Sequence, residues 1–541
     1  MDRRRFLGMS AGVSAALLAA DSLRAAVLDM SEAEQHQRTA AKIRQQAAAS
    51  QLTVRPSEQV TNGDEQRYPD KRASFSKTLP HNDLGEVVPA AYNKLVDALM
   101  RGDPDSLRGL RSPKAEVRLA NPMAAYAYDL AGVDAHSTAI GMPPPFEGHG
   151  TASEMGELYW LALTADVPYR EYESDGLIAA AIADLNALSG PIGPTVSGHL
   201  LPGTLFRGTT KGDLIGPHLS QFLWREVPLG STELDQRARY PVPGQSFLVD
   251  YQEWLACQEG VKPKRRLVLD TQPHYLRSNR DLAEYVRRIF NIQPYLNAAL
   301  VALGFGDDAL SPVNPYRGSL TESGGLTFGL ENIVSLLGQA ALIAEKAAWY
   351  QKWLVHRRLR PEASGARVHN QLTGRKSYDI LPELLNSDAV HRLKAANGTA
   401  LLPLAYPGGS PAHPSYPSAH ATVAGACATV LKAFLNEDFL IPDPVQASAT
   451  GLRLESWTGA GLTLGNEINK LASNVSLGRN AAGVHYRSDS LQGLRLGEEH
   501  AIRLLCDYSR TYPEHFEGFV LTRLTGKRIR ITNGEVQESW Q

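Results

Sequence analysis

Three short segments hold residues whose types and spacing could do chemistry. In the first, Lys352 and Arg360 flank the stretch Trp353-Leu354-Val355-His356-Arg357-Arg358-Leu359, and Pro361 follows. The second is His413-Pro414-Ser415-Tyr416-Pro417-Ser418-Ala419-His420, which leads into an apolar run from Ala421 to Leu431. The third runs from Arg479 through His485 to Asp489. Lysine offers a compact charge and arginine a planar fork, a pairing suited to a tetrahedral oxyanion. Pro417 blocks helix before it, Ser418 is a good N-cap, and the run after it reads as a buried helix. Ser418, the N–H groups after it and His420 should then sit at a helix N-terminus, which attracts anions. Asp489 falls one turn after His485 and could orient its imidazole. Singly, these segments are better explained as a capped core helix, a solvated basic face and a structural histidine. Together they offer cations, N–H donors and two histidines to one oxyanion.

The elements that must carry these residues are helical. Lys352 falls in a helical region from Leu330 to Leu359, split near Gly338 and ended by Pro361, which disfavours helix at Arg360. Gly478 and Gly483 suggest a loop that delivers Arg479, before a helix that starts near His485 and reaches Tyr508. A helix from Met155 to Thr164 has Ser153 or Thr151 as its cap, and Asp281 to Ala302 reads as one helix kinked by Pro294. Few stretches alternate with period two. The fold class is mainly α, built from helix bundles with few short strands.

The 541-residue chain is 43% hydrophobic and 21% charged, with a net charge of −2. That composition is globular, has room for more than one core, and gives nucleic acid no electrostatic footing. No apolar run reaches the ~18 to 20 residues that span a bilayer. Cys257, Cys427 and Cys506 form no C-x-x-C pair, so they build neither a zinc site nor a disulfide framework. Residues 1–26 read as a signal peptide. Arg3-Arg4-Arg5-Phe6-Leu7 is a twin-arginine pattern, followed by an apolar stretch from Met9 to Ala20 and then small residues. The expected destination is periplasmic or extracellular. Residues 27–83 read as an extended polar arm, 84–300 as an N-terminal helical half, and 301–541 as a C-terminal helical half that carries the site.

The ordered set K-x7-R-P, P-S-A-H and R-x5-H-x3-D resembles the site of the vanadium-dependent haloperoxidases, which share it with acid phosphatases of the phosphatidic-acid-phosphatase type. The stretch from Glu154 to Trp160, Phe206-Arg207-Gly208, Trp349 to Trp353, and Gly483 to Arg487 look like the bromoperoxidases of red algae and their bacterial relatives. The resemblance implies a core of two four-helix bundles and vanadate as cofactor. It implies that His485 binds vanadium through a ring nitrogen, and that Lys352, Arg360 and Arg479 surround the vanadate oxygens. Ser418 would donate its hydroxyl and Ala419 its N–H, while His420 would be the acid–base residue and Lys352 would polarise peroxide. The family usually has glycine where Ala419 stands, but alanine keeps the N–H. The implied reaction uses hydrogen peroxide to oxidise halide, chiefly bromide and iodide, to hypohalous acid, which attacks small organic acceptors. Red-algal relatives form dodecamers, so the resemblance also implies a homo-oligomer.

His413 and Trp349 are expected to shape halide access. His413 lies one short Pro-rich loop before the anion-binding helix, and Trp349 one turn before Lys352. His413 is expected to take up a proton near neutral pH. Two other readings use the same residues. One is an exported acid phosphatase with His485 as nucleophile and Asp489 as its orienter; the other is an oxyanion-binding protein without turnover.

Overall fold

The computed structural model describes residues 30–538. The signal-peptide reading of residues 1–26 lies outside them. Helix α1, Met30–Thr53, belongs to a unit of its own. It is polar and almost wholly exposed, so this part of the polar arm is a solvated helix. Residues from Val54 onward form the second unit.

The helices of that unit that matter to the site are α2 (Pro89–Arg101), α3 (His149–Leu163), α4 (Asn279–Arg288), α5 (Gln293–Leu303), α6 (Leu330–Tyr350), α7 (Pro361–Leu372), α8 (Ala419–Phe434), α9 (Leu464–Ala481) and α10 (Arg487–Tyr508). The described strands are short: two hairpins and one three-stranded antiparallel sheet over Phe519–Thr522, Arg528–Thr532 and Glu535–Gln537. The chain is mainly α, as its apolar spacing requires. Among the described residues no helix is long and apolar enough to cross a membrane.

Two large apolar cores dominate. The first joins α5, α6, α8, α9 and α10 with the C-terminal sheet. The second joins α3 and α7 with the helices Gly176–Asn186 and Asp388–Asn397. Ala481, Ala482, Val484 and Tyr486 belong to this second core, although the helices on either side of them belong to the first. His485 therefore sits on the seam between the two.

Helix α8 is central and packs against α6, α9 and α10. Every residue in it except His420 is buried. Its alanines, glycine and threonines leave room for neighbours on all sides. The contact with α10 is tight: a Cβ at Gly497 would lie 1.8 Å from the Thr422 carbonyl oxygen, and one at Gly425 2.0 Å from that of Leu494. Only a residue without Cβ allows this approach. It brings the first turn of α10 onto the start of α8, where the Ser418 N–H donates to the Asp489 carbonyl at 2.9 Å.

Prolines and hydroxyls depart from the sequence expectation. Helix α6 runs unbroken through Gly338 to Tyr350, continues as a π-helical turn over Gln351–His356, and ends at Arg357 with φ 38°. Pro361 opens α7 rather than ending a helix, and Pro294 opens α5 rather than kinking one. A first-turn proline loses nothing, because its N–H would have had no helical partner. Helix α3 begins at His149, with Thr151 and Ser153 buried inside it. Their hydroxyls bond neighbouring loops instead: Thr151 Oγ1 donates to the Pro145 carbonyl and Ser153 Oγ accepts from the Gly190 N–H.

Gly497→Ala should lower stability by about 1–3 kcal/mol through overpacking. Gly338→Ala is the contrast. An added Cβ there meets nothing within 4 Å, so the change should be neutral or stabilise by about 0.5–1 kcal/mol. Denaturant unfolding of both variants measures this, and equal shifts would contradict it.

Candidate active site

The three chemical segments converge on one carboxylate. Asp489 is fully buried and accepts four hydrogen bonds. Its Oδ1 takes Arg358 Nη1 at 2.9 Å; its Oδ2 takes Ser415 Oγ at 2.5 Å, His485 Nδ1 at 2.8 Å and the Tyr486 N–H at 3.1 Å. Arg358 also donates to Glu154 Oε2 at 2.9 Å and lies 3.8 Å above the Tyr486 ring. Burial works against the Arg358 charge, but Glu154 and Asp489 hold its pKa above the ordinary value. Glu154 accepts the Ser488 N–H through its other oxygen. One turn on, Glu157 pairs with Arg487, whose Nη1 donates to the Arg207 carbonyl at 2.9 Å. Helix α3 thus grips the start of α10 at two points.

These contacts fix the His485 tautomer. Arg360 Nη1 lies 3.0 Å from His485 Nε2 and donates to the Val484 carbonyl at 2.7 Å. A guanidinium can only donate, so Nε2 is the acceptor and Nδ1 carries the proton shared with Asp489. The ring is neutral, and its unprotonated Nε2 accepts from Arg360. Burial, then Arg360, Lys352 and Arg479, push its pKa well below that of an ordinary histidine.

Three cations stand around it. Lys352 lies in the π-turn, fully buried, and its Nζ donates to the Pro414 and Ser415 carbonyls at 2.9 and 2.8 Å. Burial first, then Arg360, lowers its pKa well below the lysine value. Arg360 has extended backbone as the cap of α7 and donates from Nε to the His413 carbonyl and from Nη2 to His413 Nδ1, both at 2.9 Å. Burial, reinforced by Arg479, pushes it down to about 10 against the pull of Asp489. Arg479 is 6% exposed, and its Nε has no hydrogen-bond partner. It lies in the last turn of α9 rather than in a loop. Gly478 is helical and serves packing, since a Cβ there would meet Val286 Cγ1 at 2.7 Å. Gly483, at φ 75°, makes the turn, and α10 starts at Arg487 with Tyr486 as its cap.

Ser418 caps α8, its Oγ accepting from the Ala421 N–H at 3.4 Å. The N–H groups of Ala419 and His420 fall in the first turn, where no intrahelical carbonyl reaches them. His420 Nε2 faces the Val286 carbonyl at 3.2 Å, so it carries the proton and Nδ1 is bare. Burial and then Arg479 bring its pKa to about 3. His413, Ala419, His420, Arg479 and His485 line one cavity of about 370 Å³. Arg360 and Lys352 reach it through their contacts with His413, His485 and the loop from His413 to Ser415.

The Trp349 ring packs against His413 at 5.0 Å, and its Nε1 donates to the Ala120 carbonyl. Trp349 therefore reaches the cavity by way of His413. The expected near-neutral titration of His413 does not hold. The ring is buried against Arg360, and burial, Arg360 and Lys352 drive its pKa well below the histidine value. A loop position suggested water around it; the fold supplies a guanidinium.

Among the described residues, no group of three or more His, Cys, Asp or Glu side chains forms a cage for a metal ion. The cluster suits an anion that brings its own oxygens. Three cations face one carboxylate, Asp489, which is already committed to four donors. The unprotonated His485 Nε2, the unpartnered Arg479 Nε and the first-turn N–H groups fit a tetrahedral oxyanion with one ligand bond to nitrogen. Sequence reasoning gave no role to Arg358, Ser415, Glu154, Glu157 or Arg487. One signal was present: Glu154 and Glu157, at i and i+3 in an otherwise apolar helix, require buried partners.

The family model described as the VCPO second helical-bundle domain matches residues 332–511. A vanadium-dependent bromoperoxidase of Ascophyllum nodosum is 37% identical over 497 residues, covering 87% of this chain and 88% of its own. The vanadium-dependent bromoperoxidase of Corallina pilulifera is 32% identical, covering 87% of this chain and 94% of its own. The solved homohexamer of a second vanadate-dependent bromoperoxidase from Ascophyllum nodosum superposes with a TM-score of 0.89 at 26% identity, over 97% of this chain and 96% of that one.

Asp489→Ala leaves Arg358 with only the Glu154 carboxylate and strips the acceptor from Ser415, His485 Nδ1 and the Tyr486 N–H, and should cost about 3–5 kcal/mol of stability in denaturant unfolding. A loss under 1 kcal/mol would show that the four bonds do not hold the seam (~1 kcal/mol being the net worth of one bond).

Buried histidines set a second expectation. Burial brings His500 to about 4 and His356 to about 3. Both are neutral in the fold and titrate near ~6.5 once unfolded. The unfolded chain then binds more protons than the native one from about pH 6.5 down to about 4, so this contribution weakens as pH falls. His500→Leu should gain on the wild type by about 1.4 kcal/mol per pH unit through that window. Unfolding curves at about pH 7.5, 5.5 and 4.5 measure the difference, and a constant gap would contradict it.

Proposed function

The chain belongs to the vanadium-dependent bromoperoxidase family, and from that premise we propose that it oxidises bromide and iodide with hydrogen peroxide to hypohalous acid at the site around His485. The chain is an enzyme of the haloperoxidase type, with vanadate as its cofactor. The observation that carries the reading is the excess of buried positive charge: Lys352, Arg360 and Arg479 surround a neutral His485 whose Nε2 is free of its proton. His485 Nε2 would bind the metal, the three cations would hold the oxygens, and Ser418 and the Ala419 N–H would add donors. Bound there, vanadate supplies the Lewis acid that activates peroxide for attack by halide.

The chain's own residues do the rest. Asp489 keeps the His485 proton on Nδ1 and so keeps Nε2 available. Lys352 is fixed by two carbonyls and presents its positive end without rotamer freedom to lose. His420 holds its proton on Nε2 against the Val286 carbonyl and offers Nδ1 as the base that takes a peroxide proton. An anion beside it would raise its pKa from the value set by Arg479. His413 and Trp349 form the wall that an approaching halide meets.

Organic acceptors, a homo-oligomeric state and export belong to the same proposal. Export rests on the twin-arginine pattern of residues 1–26, and oligomerisation is supported by the homohexamer of the solved relative.

Protein purified with and without orthovanadate should brominate and iodinate only when loaded. His485→Ala should lose turnover and vanadate binding while keeping its far-ultraviolet dichroism. Inorganic phosphate should slow reconstitution, because it fits the same cations. Turnover of 4-nitrophenyl phosphate without halide oxidation would select the phosphatase chemistry instead.

A further inference from the structure

Two nucleophiles in the cavity wall take no part in halide oxidation. Cys257, near the end of the helix Tyr251–Gln258, and Lys77 both line the cavity that His420, Arg479 and His485 share. Neither is sealed off: Cys257 is 5% exposed and the Lys77 side chain 3%. They meet at one carbonyl. Lys77 Nζ donates to the Gly408 oxygen at 3.1 Å, and Cys257 Sγ donates to the same oxygen at 3.4 Å. Lys77 also donates to Glu362 Oε1 at 3.0 Å and to the Ser410 carbonyl at 2.7 Å. With three acceptors for three protons, the ammonium is fixed beside the thiol.

The other two cysteines are the contrast. Cys427 and Cys506 are buried, and neither borders this cavity. One thiol of three therefore stands where hypohalous acid would be released, and that one has an amine next to it. Its protonation state selects the oxidant. Burial raises the Cys257 pKa, and the nearby Lys77 charge works against that rise. A thiol held in its protonated form is a poor target for peroxide, which needs the thiolate. Hypohalous acid is small, uncharged and a far stronger electrophile, and sulfur is the most polarisable atom in this wall.

We infer that Cys257 and Lys77 are a self-modification site, joined by a sulfur–nitrogen bond when the enzyme's own hypohalous acid meets the cavity wall. The inference rests on the haloperoxidase reading of the site around His485. In the first step Sγ takes the halogen. The sulfur–halogen bond forms, the halogen–oxygen bond breaks, and the thiol proton leaves with the hydroxide as water. Lys77 then gives a proton to Glu362 Oε1 and attacks the sulfur through Nζ. The sulfur–nitrogen bond forms, halide leaves with the electron pair, and the second amine proton passes to water. Sulfur is oxidised by two electrons and the halogen is reduced to halide, so R–SH + R'–NH3+ + HOX gives R–S–NH–R' + X− + H2O + 2H+. The product is a sulfenamide, which added thiol reopens. Without an amine in reach, the same sulfur would go on through sulfenic to sulfinic acid, which thiols do not reduce.

The test uses the full vanadate-loaded chain with bromide and a few equivalents of peroxide. Alkylation, digestion without reductant and mass spectrometry follow. The peptide that holds Cys257 should be joined to the one that holds Lys77, two hydrogens lighter than their sum, and dithiothreitol should part them. Cys427 and Cys506 should still be alkylated, and peroxide without bromide should leave all three thiols free. In Lys77→Arg, which keeps a cation for Glu362, sulfinic acid at Cys257 should rise severalfold over wild type. Wild-type Cys257 that ends turnover as free thiol or sulfinic acid would overturn the inference, whatever the variant does. A link that peroxide makes without bromide would do the same, as would equal sulfinic acid in the variant and wild type. Reagent hypobromous acid, added to the chain without vanadate, separates this inference from the reading beneath it. If the loaded protein forms no triiodide from iodide, the haloperoxidase reading fails, and a link made by the reagent still establishes the pair. Triiodide formation with no link in either arm overturns the pair alone.

Discussion

Everything at the centre of this protein hangs on the Asp489 carboxylate. Its four bonds tie together the linker between the π-turn and α7, the loop before α8 and the start of α10. Those segments adjoin Lys352 and Arg360, the N-terminus of α8 and His485. A single buried anion can organise so much because each donor it accepts would be costly to bury alone. Its commitment has a second effect. Asp489 favours the charged forms of Arg360 and Lys352, but it is a single carboxylate shared with Arg358, so it cannot balance Lys352, Arg360 and Arg479 together. The same residue assembles the site and leaves it short of negative charge.

Packing supplies the precision that hydrogen bonds alone would not. Helix α8 is built of small side chains, and Gly497 and Gly425 let α10 lie against it backbone to backbone. The contact leaves no slack between Ser418 and Asp489. The second core anchors the other side, where Glu154 and Glu157 of α3 hold Arg358 and Arg487. The site is thus clamped between two cores rather than carried on a surface loop.

Local signals were legible in the sequence, and non-local ones were not. Pro417 and Ser418 mark the start of α8 because a cap and a breaker act on their nearest neighbours. The helical class follows from apolar spacing for the same reason. Pro361 and Pro294 were misread because a proline opens a helix as readily as it ends one, and only the following turn decides. Gly478 resembled a loop residue, yet its missing Cβ answers to Val286 on another helix. His413 was expected to titrate near neutrality, since nothing in its own segment reveals Arg360. Arg358 stood in plain view within a basic stretch, but its partners Glu154 and Asp489 come from distant parts of the chain.

The crowding of Lys352, Arg360 and Arg479 bears on more than catalysis. Repulsion among like charges in a dry interior weighs against the folded state. An oxyanion that settles among them acts as an internal counterion, and any ligand that binds only the native chain shifts the folding equilibrium toward it. In this respect the fold cannot tell one tetrahedral anion from another, whereas the chemistry can. A preparation kept in phosphate would then resist heat better while turning over less. Thermal resilience and catalytic readiness are separate properties of this molecule, and a high melting temperature is no measure of how much of it carries vanadium.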